Sequence, residues 1–495
     1  MMPRSRPNAT IIVCAAALAG MALFIYATKL QTVSFPASLA YNEGWNAYFG
    51  ARLARGGDLY GVADGFVWNN YPPLYHILQA AVLNLGADPI IFGRWLSLVS
   101  IGFIALLLGT LAHRRRGDHF GSTLIVVGFL VHAYLLHPAY VGQNDPQWLA
   151  QAVSAAGLFV LLRLGPTGAA LWAASGLFVV ALSIKHNVLA GPLAVTVWLL
   201  MHHRAAFVRW LIAGLVCGGL AGALWIALFS PRLLVAVFGH HRAMKDPIWL
   251  VKFYADVLGH YFLLFAAMAV VGLDRKRRWT EDLALLYALF GLIFGVLFLT
   301  GVGVGLNVLF EAQVGIWFVL AQNAARLDGA AWARREVAGW VLAATLLLGG
   351  LLYFAGAPPA IEEVRRLATE QAFDVARLAR SSGPVACENL ALCFWAGKPF
   401  ELDFFNSGQE ALVDSVYEKR LVEQFDYKYF AIVQREPDSD RFTPAITKAL
   451  LRYYHLGWRG TDAEFWLPGW IPETPLCRCP GDLPPLQQRV SRGAK

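Results

Sequence analysis

Residues 41–60 read YNEGWNAYFGARLARGGDLY and follow closely on the first long apolar run of the chain, residues 11–28. Aromatic and apolar residues such as Trp45 recur there at helical spacing, with arginines including Arg52 on the opposite side. This pattern predicts an amphipathic helix that lies in a membrane interface. Glu43 falls in the first turn, where the helix dipole favours a carboxylate even when it does no chemistry.

The composition of the 495-residue chain indicates a membrane protein. Only 15% of its residues are charged and 57% are hydrophobic, whereas a soluble domain carries roughly 25% charged residues. With a mean hydropathy of +0.50, these values exclude an ordinary soluble enzyme, a disordered chain and a small disulfide scaffold. The sequence therefore predicts an α-helical polytopic membrane protein.

Charged residues are spread unevenly, which divides the chain into two parts. Residues 358–495 hold 17 Lys and Arg and 19 Asp and Glu, far more densely than the rest. We therefore expect a transmembrane domain over 1–356 and an exported C-terminal α/β domain over 357–495, ending in an unstructured tail. The net charge of +8 comes from the first part. Excess basic residues in a membrane protein mark its cytoplasmic side, so no nucleic-acid partner is expected.

Apolar runs that are long enough to span a bilayer, or nearly so, recur along the first part. We place eleven of them, at residues 11–28, 93–112, 120–137, 147–163, 168–184, 188–201, 207–229, 259–273, 281–300, 304–322 and 336–356. Basic residues follow every even-numbered run, and the positive-inside rule puts these ends in the cytoplasm. The N-terminus is then cytoplasmic, and the C-terminal domain lies outside the inner membrane of a bacterium.

Two more motifs follow in the first outer loop: ARGGDLY at 54–60 and NNYPPLY at 69–75. With the acidic residue after the first run, they resemble the first outer loop of the GT-C superfamily, polytopic glycosyltransferases that use lipid-linked sugar donors. Bacterial mannosyltransferase-like and aminoarabinose-transferase-like members are the most similar in pattern. Members often carry an Asp-Glu or Glu-Glu pair where this chain has Asn42-Glu43, which leaves Glu43 as the match to the catalytic position.

This resemblance implies a GT-C-like fold of about eleven transmembrane helices. It also implies transfer of a hexosyl or pentosyl group from a polyprenyl-phosphate donor. Such transfer needs a carboxylate to take the acceptor proton and a cation or amide to stabilise the departing phosphate. Glu43 is expected to be that carboxylate. Lys185, in the motif SIKHN at 183–187, is assigned to the donor phosphate; the alternative is a lysine that merely extends to the membrane interface.

The motif VGQNDP at 141–146 supplies the second acid, Asp145, at the outer end of the fourth run. It resembles the acidic position of the family's second outer loop and is expected to be catalytic. Asp before Pro also caps helices well, so a purely structural cap is the alternative. We assign Asn144, and Tyr71 of the first loop, to substrate binding.

Asn307 and Glu311 are four residues apart where the tenth run begins, so they share one helical face. An acid within a span is costly unless it is paired or lines a cavity. The pair resembles a glycine-then-Asn…Glu feature of related transferases and is expected to bind substrate. An interhelical hydrogen bond is the alternative.

The loop 230–258 is basic on the expected outer face, and we assign Arg242 and Lys245 in it to the donor phosphate. Anionic lipid headgroups are the alternative ligand. Adjacent histidines at 240 and 241 point apart on any regular element, so no metal site is assigned. A divalent cation stays open as a cofactor.

The C-terminal domain is predicted to contain helices at 362–380, 408–424 and 443–455. Strands are expected at Val385–Glu388, Phe400–Phe404, Tyr429–Val433 and around Phe465. Disulfides can persist on the outer face, and Cys387 with Cys393 is a plausible pair; Cys477 and Cys479 are too close together to bond easily. The frequent aromatic residues suit either sugar stacking or core packing.

Taken together, the sequence predicts a membrane glycosyltransferase at the outer face of the membrane. Its partners are a polyprenyl-phosphate sugar, the lipid bilayer and an envelope glycan, lipid or protein acceptor. A transporter or flippase for lipid-linked glycans, and a non-catalytic glycan-binding membrane protein, are the alternatives. Transporters commonly show internal repeats, and none is evident here.

Overall fold

The computed structural model describes residues 9–60, 65–116, 119–239, 244–248, 250–252, 254, 279–323, 361–437 and 439–469. Of the eleven predicted runs, 259–273 and 336–356 lie outside these residues, as do Arg242, Cys477 and Cys479. Each of the other nine coincides with a helix. The described residues are mostly helical and form one small sheet.

The helices of the N-terminal part are α1 (Ala9–Thr32), α2 (Tyr41–Ala54), α3 (Pro73–Asn84), α4 (Pro89–Arg116), α5 (His119–Leu136), α6 (Gln147–Leu164), α7 (Gly168–Ile184), α8 (Ala190–His202), α9 (Arg204–Phe229), α10 (Arg232–Phe238), α11 (Trp279–Phe298) and α12 (Phe310–Gln322), the last preceded by a 3-10 turn (Leu306–Leu309). Among the described residues, three helices are long and apolar enough to cross a membrane: Pro89–His113, Gln147–Leu164 and Arg204–Phe229. Five more are apolar but shorter. The count of about eleven crossings stays a prediction.

The helix α2 is present, but its surroundings differ from the expectation. Residues Glu43 to Ala51 are all buried, because α2 packs on α3 and α4 on one side and on the C-terminal domain on the other. Tyr48, for example, stacks on Phe400 with 4.9 Å between ring centroids and donates a hydrogen bond to the carbonyl of Lys398. The aromatic residues expected in a lipid interface therefore form a contact between domains.

The C-terminal domain contains five described helices, α13 (Ile361–Arg380), α14 (Leu390–Trp395), α15 (Phe404–Val413), α16 (Ser415–Asp426) and α17 (Pro444–Tyr453), and four strands, β1 (Val385–Cys387), β2 (Ile432–Arg435), β3 (Tyr454–Gly460) and β4 (Ala463–Pro468). The sheet order is β1-β2-β4-β3. The strand pair β1–β2 is parallel, and the other two pairs are antiparallel.

Three local predictions for this domain need correction. At Phe400–Phe404 only an isolated β-bridge forms, between Leu402 and Phe66, because α15 begins at Phe404 and is capped by Asp403, which accepts a hydrogen bond from the Asn406 N–H. The helix predicted at 408–424 is divided by Asp414, which caps α16. Strand β3 was missed because it begins at Tyr454, inside the predicted helix 443–455. The Cys387–Cys393 disulfide is formed, as predicted.

Gly44 marks the tightest contact between α2 and the C-terminal domain. A Cβ atom at this position would lie 2.2 Å from the backbone nitrogen of Ala391 and 2.3 Å from the carbonyl carbon of Leu390. Because both are backbone atoms of α14, the contact cannot relax by moving a side chain. The glycine is therefore what lets α2 approach α14 so closely.

We expect Gly44→Val to separate α2 from α14 and to destabilise the protein by about 1–3 kcal/mol or more, the usual cost of overpacking. The matched control is Gly102→Val in α4, where nothing lies within 4 Å of the added Cβ. The measurement is the thermal unfolding midpoint of the purified proteins. Equal midpoints for the two variants would contradict the close packing.

Candidate active site

A cavity of about 810 Å³ lies where the helix ends of the N-terminal part meet the C-terminal domain. Its polar lining includes Asn42, Asn70, Tyr71, Tyr140, Gln143, Lys185, His186, Asn187 and Asn307 from the N-terminal part, and Asn406, Gln409, Asp440 and Arg441 from the C-terminal domain. The first loop, the 138–146 loop, the Lys185 turn and the 301–303 turn thus meet in one place. All four connect the apolar runs at the ends opposite the basic residues, which is the face that the positive-inside rule predicts to lie outside.

Glu43 does not line this cavity. Its carboxylate is fully buried and forms an ion pair with Arg94 of α4, with 2.6 Å between Oε2 and Nη2 and 2.6 Å between Oε1 and Nε. It also accepts hydrogen bonds from the backbone N–H groups of Leu39 and Asn144. The sequence had assigned Glu43 as the base, but in the structure its oxygens are already occupied by donors.

Arg94 was missed in the sequence, although it is the one charged residue in the run 93–112. Besides Glu43, its guanidinium donates to the carbonyls of Phe35 and Ala37, 2.8 and 2.5 Å away. These bonds fix the segment between α1 and α2. An arginine within an apolar run is costly unless it is paired, so its position in the run could have predicted a buried acidic partner.

Asn144 also lies behind the cavity surface rather than on it. Its side-chain NH₂ donates to the carbonyl of Glu43, and its side-chain oxygen accepts from Tyr75 and Gln79. Asn144 was expected to bind substrate, and in the structure its side chain ties the 138–146 loop to α2 and α3.

Asp145 and Lys185 form the second ion pair of the site. The Lys185 nitrogen lies 3.4 and 3.5 Å from the two carboxylate oxygens of Asp145, and it stands 4.0 Å above the ring of Tyr71. Lys185 and Tyr71 line the cavity, whereas Asp145 lies just behind Lys185 and Asn42. The Asn42 side chain donates to Asp145 over 3.3 Å. These contacts are long, in contrast to the 2.6 Å contacts of Glu43.

The charge of Lys185 is supported by its neighbours. Burial lowers the pKa of this lysine, but the charge and hydrogen-bond interactions with Asp145 and with the Tyr71 hydroxyl group outweigh it, and the pKa is raised above its ordinary value. Lys185 therefore presents a positive charge to the cavity. Asp145 also accepts the backbone N–H of Gln147, the first residue of α6, although the N-cap itself is Pro146. A structural contact at the helix start and the ion pair therefore occur together in Asp145.

Asn307 and Glu311 of the tenth run, which were assigned together, have different surroundings in the structure. Asn307 lines the cavity. Glu311 does not, because it reaches the start of α8, where both carboxylate oxygens accept the N–H of Ala190 at 3.2 Å. The interhelical hydrogen bond considered as the alternative is therefore the arrangement found. It holds α8 just after the turn that carries Lys185.

Lys245 lies beside the cavity rather than in its lining. Its side chain donates to the carbonyl of Val304 at 2.9 Å, and its backbone N–H donates to Thr300. Lys245 thus supports the turn at residues 301–305. Gly303 of this turn has φ +73°, and a Cβ there would lie 2.0 Å from the Phe405 ring, so only glycine lets the turn approach the C-terminal domain.

Asp403 connects the C-terminal wall of the cavity to α2. It is buried and accepts hydrogen bonds from the Tyr41 hydroxyl at 2.5 Å and the Trp45 indole at 2.9 Å. Burial and the nearby Asp403 raise the pKa of Tyr41 well above its usual value, so its hydroxyl stays protonated. Arg441 lies 4.3 Å above the Tyr41 ring. Neither Asp403 nor Arg441 was predicted from the sequence, because the residues of α2 that they contact lie more than 350 residues away along the chain.

No family model matches this chain, and no curated protein sequence does. Solved structures do match. ArnT from Cupriavidus metallidurans in the apo state has a TM-score of 0.61 and 14% identity, covering 92% of this chain and 97% of ArnT. The same protein bound to undecaprenyl phosphate has a TM-score of 0.58 and 13% identity, with 90% and 98% covered.

A more distant structural match is the oligosaccharyltransferase of Archaeoglobus fulgidus in the apo form. Its TM-score is 0.51 at 11% identity, over 89% of this chain and 73% of the enzyme. ArnT is an aminoarabinose transferase, and both proteins are GT-C fold membrane glycosyltransferases. The resemblance to the GT-C superfamily predicted from the sequence is confirmed as a likeness of fold.

Arg94→Ala is expected to destabilise the protein strongly, by about 3–5 kcal/mol, because it leaves the buried Glu43 carboxylate without a counter-charge. The double variant Glu43→Gln/Arg94→Gln should be less destabilised than Arg94→Ala, since no unpaired charge remains. Thermal unfolding of the three purified proteins measures both effects. A double variant as unstable as Arg94→Ala would contradict the ion-pair explanation.

Proposed function

We propose that this protein is a membrane glycosyltransferase that transfers a sugar from a polyprenyl-phosphate donor to an acceptor bound in the cavity. The observation that carries the proposal is the Lys185–Asp145 pair. A buried cation faces a cavity in a GT-C fold, with a carboxylate immediately behind it. The two groups have the charges that the leaving phosphate and the attacking hydroxyl require.

The donor is proposed from chemistry and from the fold. One structural relative, ArnT, has been solved with undecaprenyl phosphate bound. In this chain the Lys185 ammonium is suited to the phosphate, with Tyr71 and Asn307 beside it in the lining. Val237, Leu297 and Phe298 give the same cavity an apolar edge that suits the start of a prenyl chain.

The transfer requires one base and one site for the leaving group. In the proposed step, an acceptor hydroxyl attacks the anomeric carbon of the donor sugar while its proton moves to an Asp145 oxygen. The bond from the anomeric carbon to the phosphate oxygen breaks, and polyprenyl phosphate leaves with that electron pair. Lys185 stabilises the added negative charge. Attack from the side opposite the phosphate inverts the anomeric carbon.

The donor phosphate itself makes Asp145 available in this proposal. In the empty cavity, Asp145 shares the Lys185 charge through contacts of 3.4–3.5 Å, close to the limit for hydrogen bonding. A phosphate beside Lys185 competes for that charge and weakens the contact. The oxygen Oδ2 then keeps only the long contact of 3.3 Å with the Asn42 side chain, whereas Oδ1 stays bound to the Gln147 N–H at 2.8 Å, so Oδ2 is the oxygen proposed to take the proton. Arg94 binds Glu43 at 2.6 Å, and because this pair does not line the cavity, a bound donor would not weaken the contact. We therefore propose Asp145 as the base and Glu43 as the residue that positions α2.

The remaining assignments follow the same arrangement. Glu311 and Lys245 are proposed to support the Lys185 turn and the 301–305 turn, and Arg242 stays a proposed phosphate ligand. The basic residues on the opposite helix ends support the proposal that the cavity lies on the outer face of a bacterial inner membrane, with the N-terminus in the cytoplasm.

The test is a transfer assay on the purified protein in nanodiscs, with a panel of synthetic polyprenyl-phosphate sugars and an envelope extract as acceptor. The readout is polyprenyl phosphate release by mass spectrometry. We expect Asp145→Asn to lower the rate by about 10²–10⁴-fold, the usual contribution of a general base. The control is Asp426→Asn, an exposed acid of α16, which should leave the rate unchanged.

Folding of Asp145→Asn is checked by its unfolding midpoint, because Asp145 also accepts the N–H of Gln147 at the start of α6. A folded Asp145→Asn protein that releases polyprenyl phosphate as fast as wild type would refute the proposed base. Wild-type protein that binds the donors and releases nothing would favour the transporter or the glycan-binding protein considered above.

A further inference from the structure

The Tyr140 hydroxyl is a polar group of the cavity wall that takes no part in the proposed proton transfer. Tyr140 follows α5 and lines the cavity, and its ring packs edge to face on Phe310 with 5.7 Å between centroids. The Ser97 hydroxyl donates to the Tyr140 carbonyl at 3.2 Å, which fixes the backbone there. The Tyr140 hydroxyl itself has no hydrogen-bond partner among the described residues and is not sealed off by protein. A ligand in the cavity can therefore reach it.

Asn307 lies at the same corner of the cavity. A Cβ atom on Gly305 would lie 2.2 Å from the Tyr140 hydroxyl oxygen and 3.6 Å from the Asn307 side-chain oxygen, so the two oxygens flank one small space. Asn307 is only 7% exposed and lines the cavity. Its amide group is likewise accessible and has no partner in the described parts of the chain. Gly305 leaves the space in front of both groups open.

The corner formed by Tyr140 and Asn307 adjoins the Asp145–Lys185 pair. Burial raises the pKa of Tyr140 most, and electrostatic interactions with Asp145 and Tyr71 raise it further. The Tyr140 hydroxyl is therefore protonated and has a hydrogen to donate. Asp145 and Tyr71 are also the residues that contact Lys185. A ligand group in this corner thus lies next to the residues proposed to bind the phosphate and to take the proton.

The chemistry of the corner suits a hydroxyl group better than a phosphate. The Tyr140 hydroxyl and the Asn307 amide are both neutral, and each can donate and accept a hydrogen bond, as a sugar hydroxyl does. A phosphate oxygen only accepts, and its charge would be repelled by Asp145. Lys245, which supports the adjoining turn, donates to the Val304 carbonyl and does not line the cavity.

We propose that Tyr140 and Asn307 form the subsite for a hydroxyl group of the donor sugar, and that Gly305 keeps this subsite open. The inference rests on the proposed glycosyl transfer and adds the residues that recognise the sugar itself. Lys185 binds the phosphate, which all polyprenyl-phosphate donors share. Tyr140 and Asn307 bind the sugar, which differs between donors, so they help to determine which donor is accepted.

The test is lipid binding by the full-length protein in nanodiscs, without acceptor. The probes are undecaprenyl phosphate and its glucosyl, mannosyl, galactosyl and arabinosyl derivatives. We expect wild type to bind at least one glycosylated lipid more tightly than undecaprenyl phosphate. Tyr140→Phe should weaken binding of that glycosylated lipid about three- to tenfold, the loss expected for one neutral hydrogen bond, and should leave undecaprenyl phosphate binding unchanged.

Gly305→Ala tests the same corner without replacing either polar residue. The added Cβ displaces the Tyr140 hydroxyl, so the glycosylated lipid should again bind about three- to tenfold more weakly. In Tyr140→Phe/Gly305→Ala the closest ring atom is 3.4 Å from the Cβ, an ordinary van der Waals distance. The double variant should therefore bind as Tyr140→Phe alone does. Tyr427→Phe, 79% exposed and outside the cavity lining, is the control and should bind as wild type.

Three results would overturn the proposal. The first is Tyr140→Phe protein that binds the glycosylated lipid as tightly as wild type. The second is an equal loss for the glycosylated lipid and undecaprenyl phosphate, because the corner would then bind phosphate. The third is wild-type protein that binds undecaprenyl phosphate but prefers no glycosylated form. Wild-type protein that binds none of these lipids would instead contradict the proposed donor class, and this inference with it.

Discussion

The ion pair between Glu43 and Arg94 is the contact on which the rest of the site depends. It joins α2 to α4, and Arg94 also binds the carbonyls of the preceding segment. Glu43 in turn accepts the N–H of Asn144, so the same carboxylate also positions the loop before Asp145. Because both charges are fully buried, neither can turn toward water without a large cost in free energy. A rigid buried pair thus holds a looser pair, Asp145–Lys185, at the cavity.

The C-terminal domain is part of the site rather than an appendage. It packs against α2 at Gly44 and Tyr48. It also supplies Asp403, which accepts hydrogen bonds from two residues of the cavity lining, Tyr41 and Trp45. The disulfide Cys387–Cys393 encloses most of α14, the helix that Gly44 contacts. The cavity therefore exists only where the two parts of the chain meet, and both supply polar groups to it.

Hydropathy and local patterns predicted the helices well, because the apolar period and turn residues act over a few positions. All nine runs that fall on described residues are helical, as is the segment after the first run, and Lys185, Tyr71 and Asn307 line the cavity. The roles of the acids were not predictable in the same way. Glu43 and Glu311 are acids beside apolar segments, and such an acid looks the same in sequence whether it faces a cavity or pairs internally. That choice depends on partners far along the chain, Arg94 and the start of α8.

The most direct test of the account is whether Lys185 holds a lipid phosphate. Binding of undecaprenyl phosphate to the purified protein in nanodiscs is titrated for wild type, Lys185→Met and the exposed Lys252→Met. A hydrogen bond to a charged group contributes about 1.5–3 kcal/mol, so Lys185→Met should bind at least about tenfold more weakly. Lys252→Met should match wild type. Equal affinity for Lys185→Met and wild type would contradict the account.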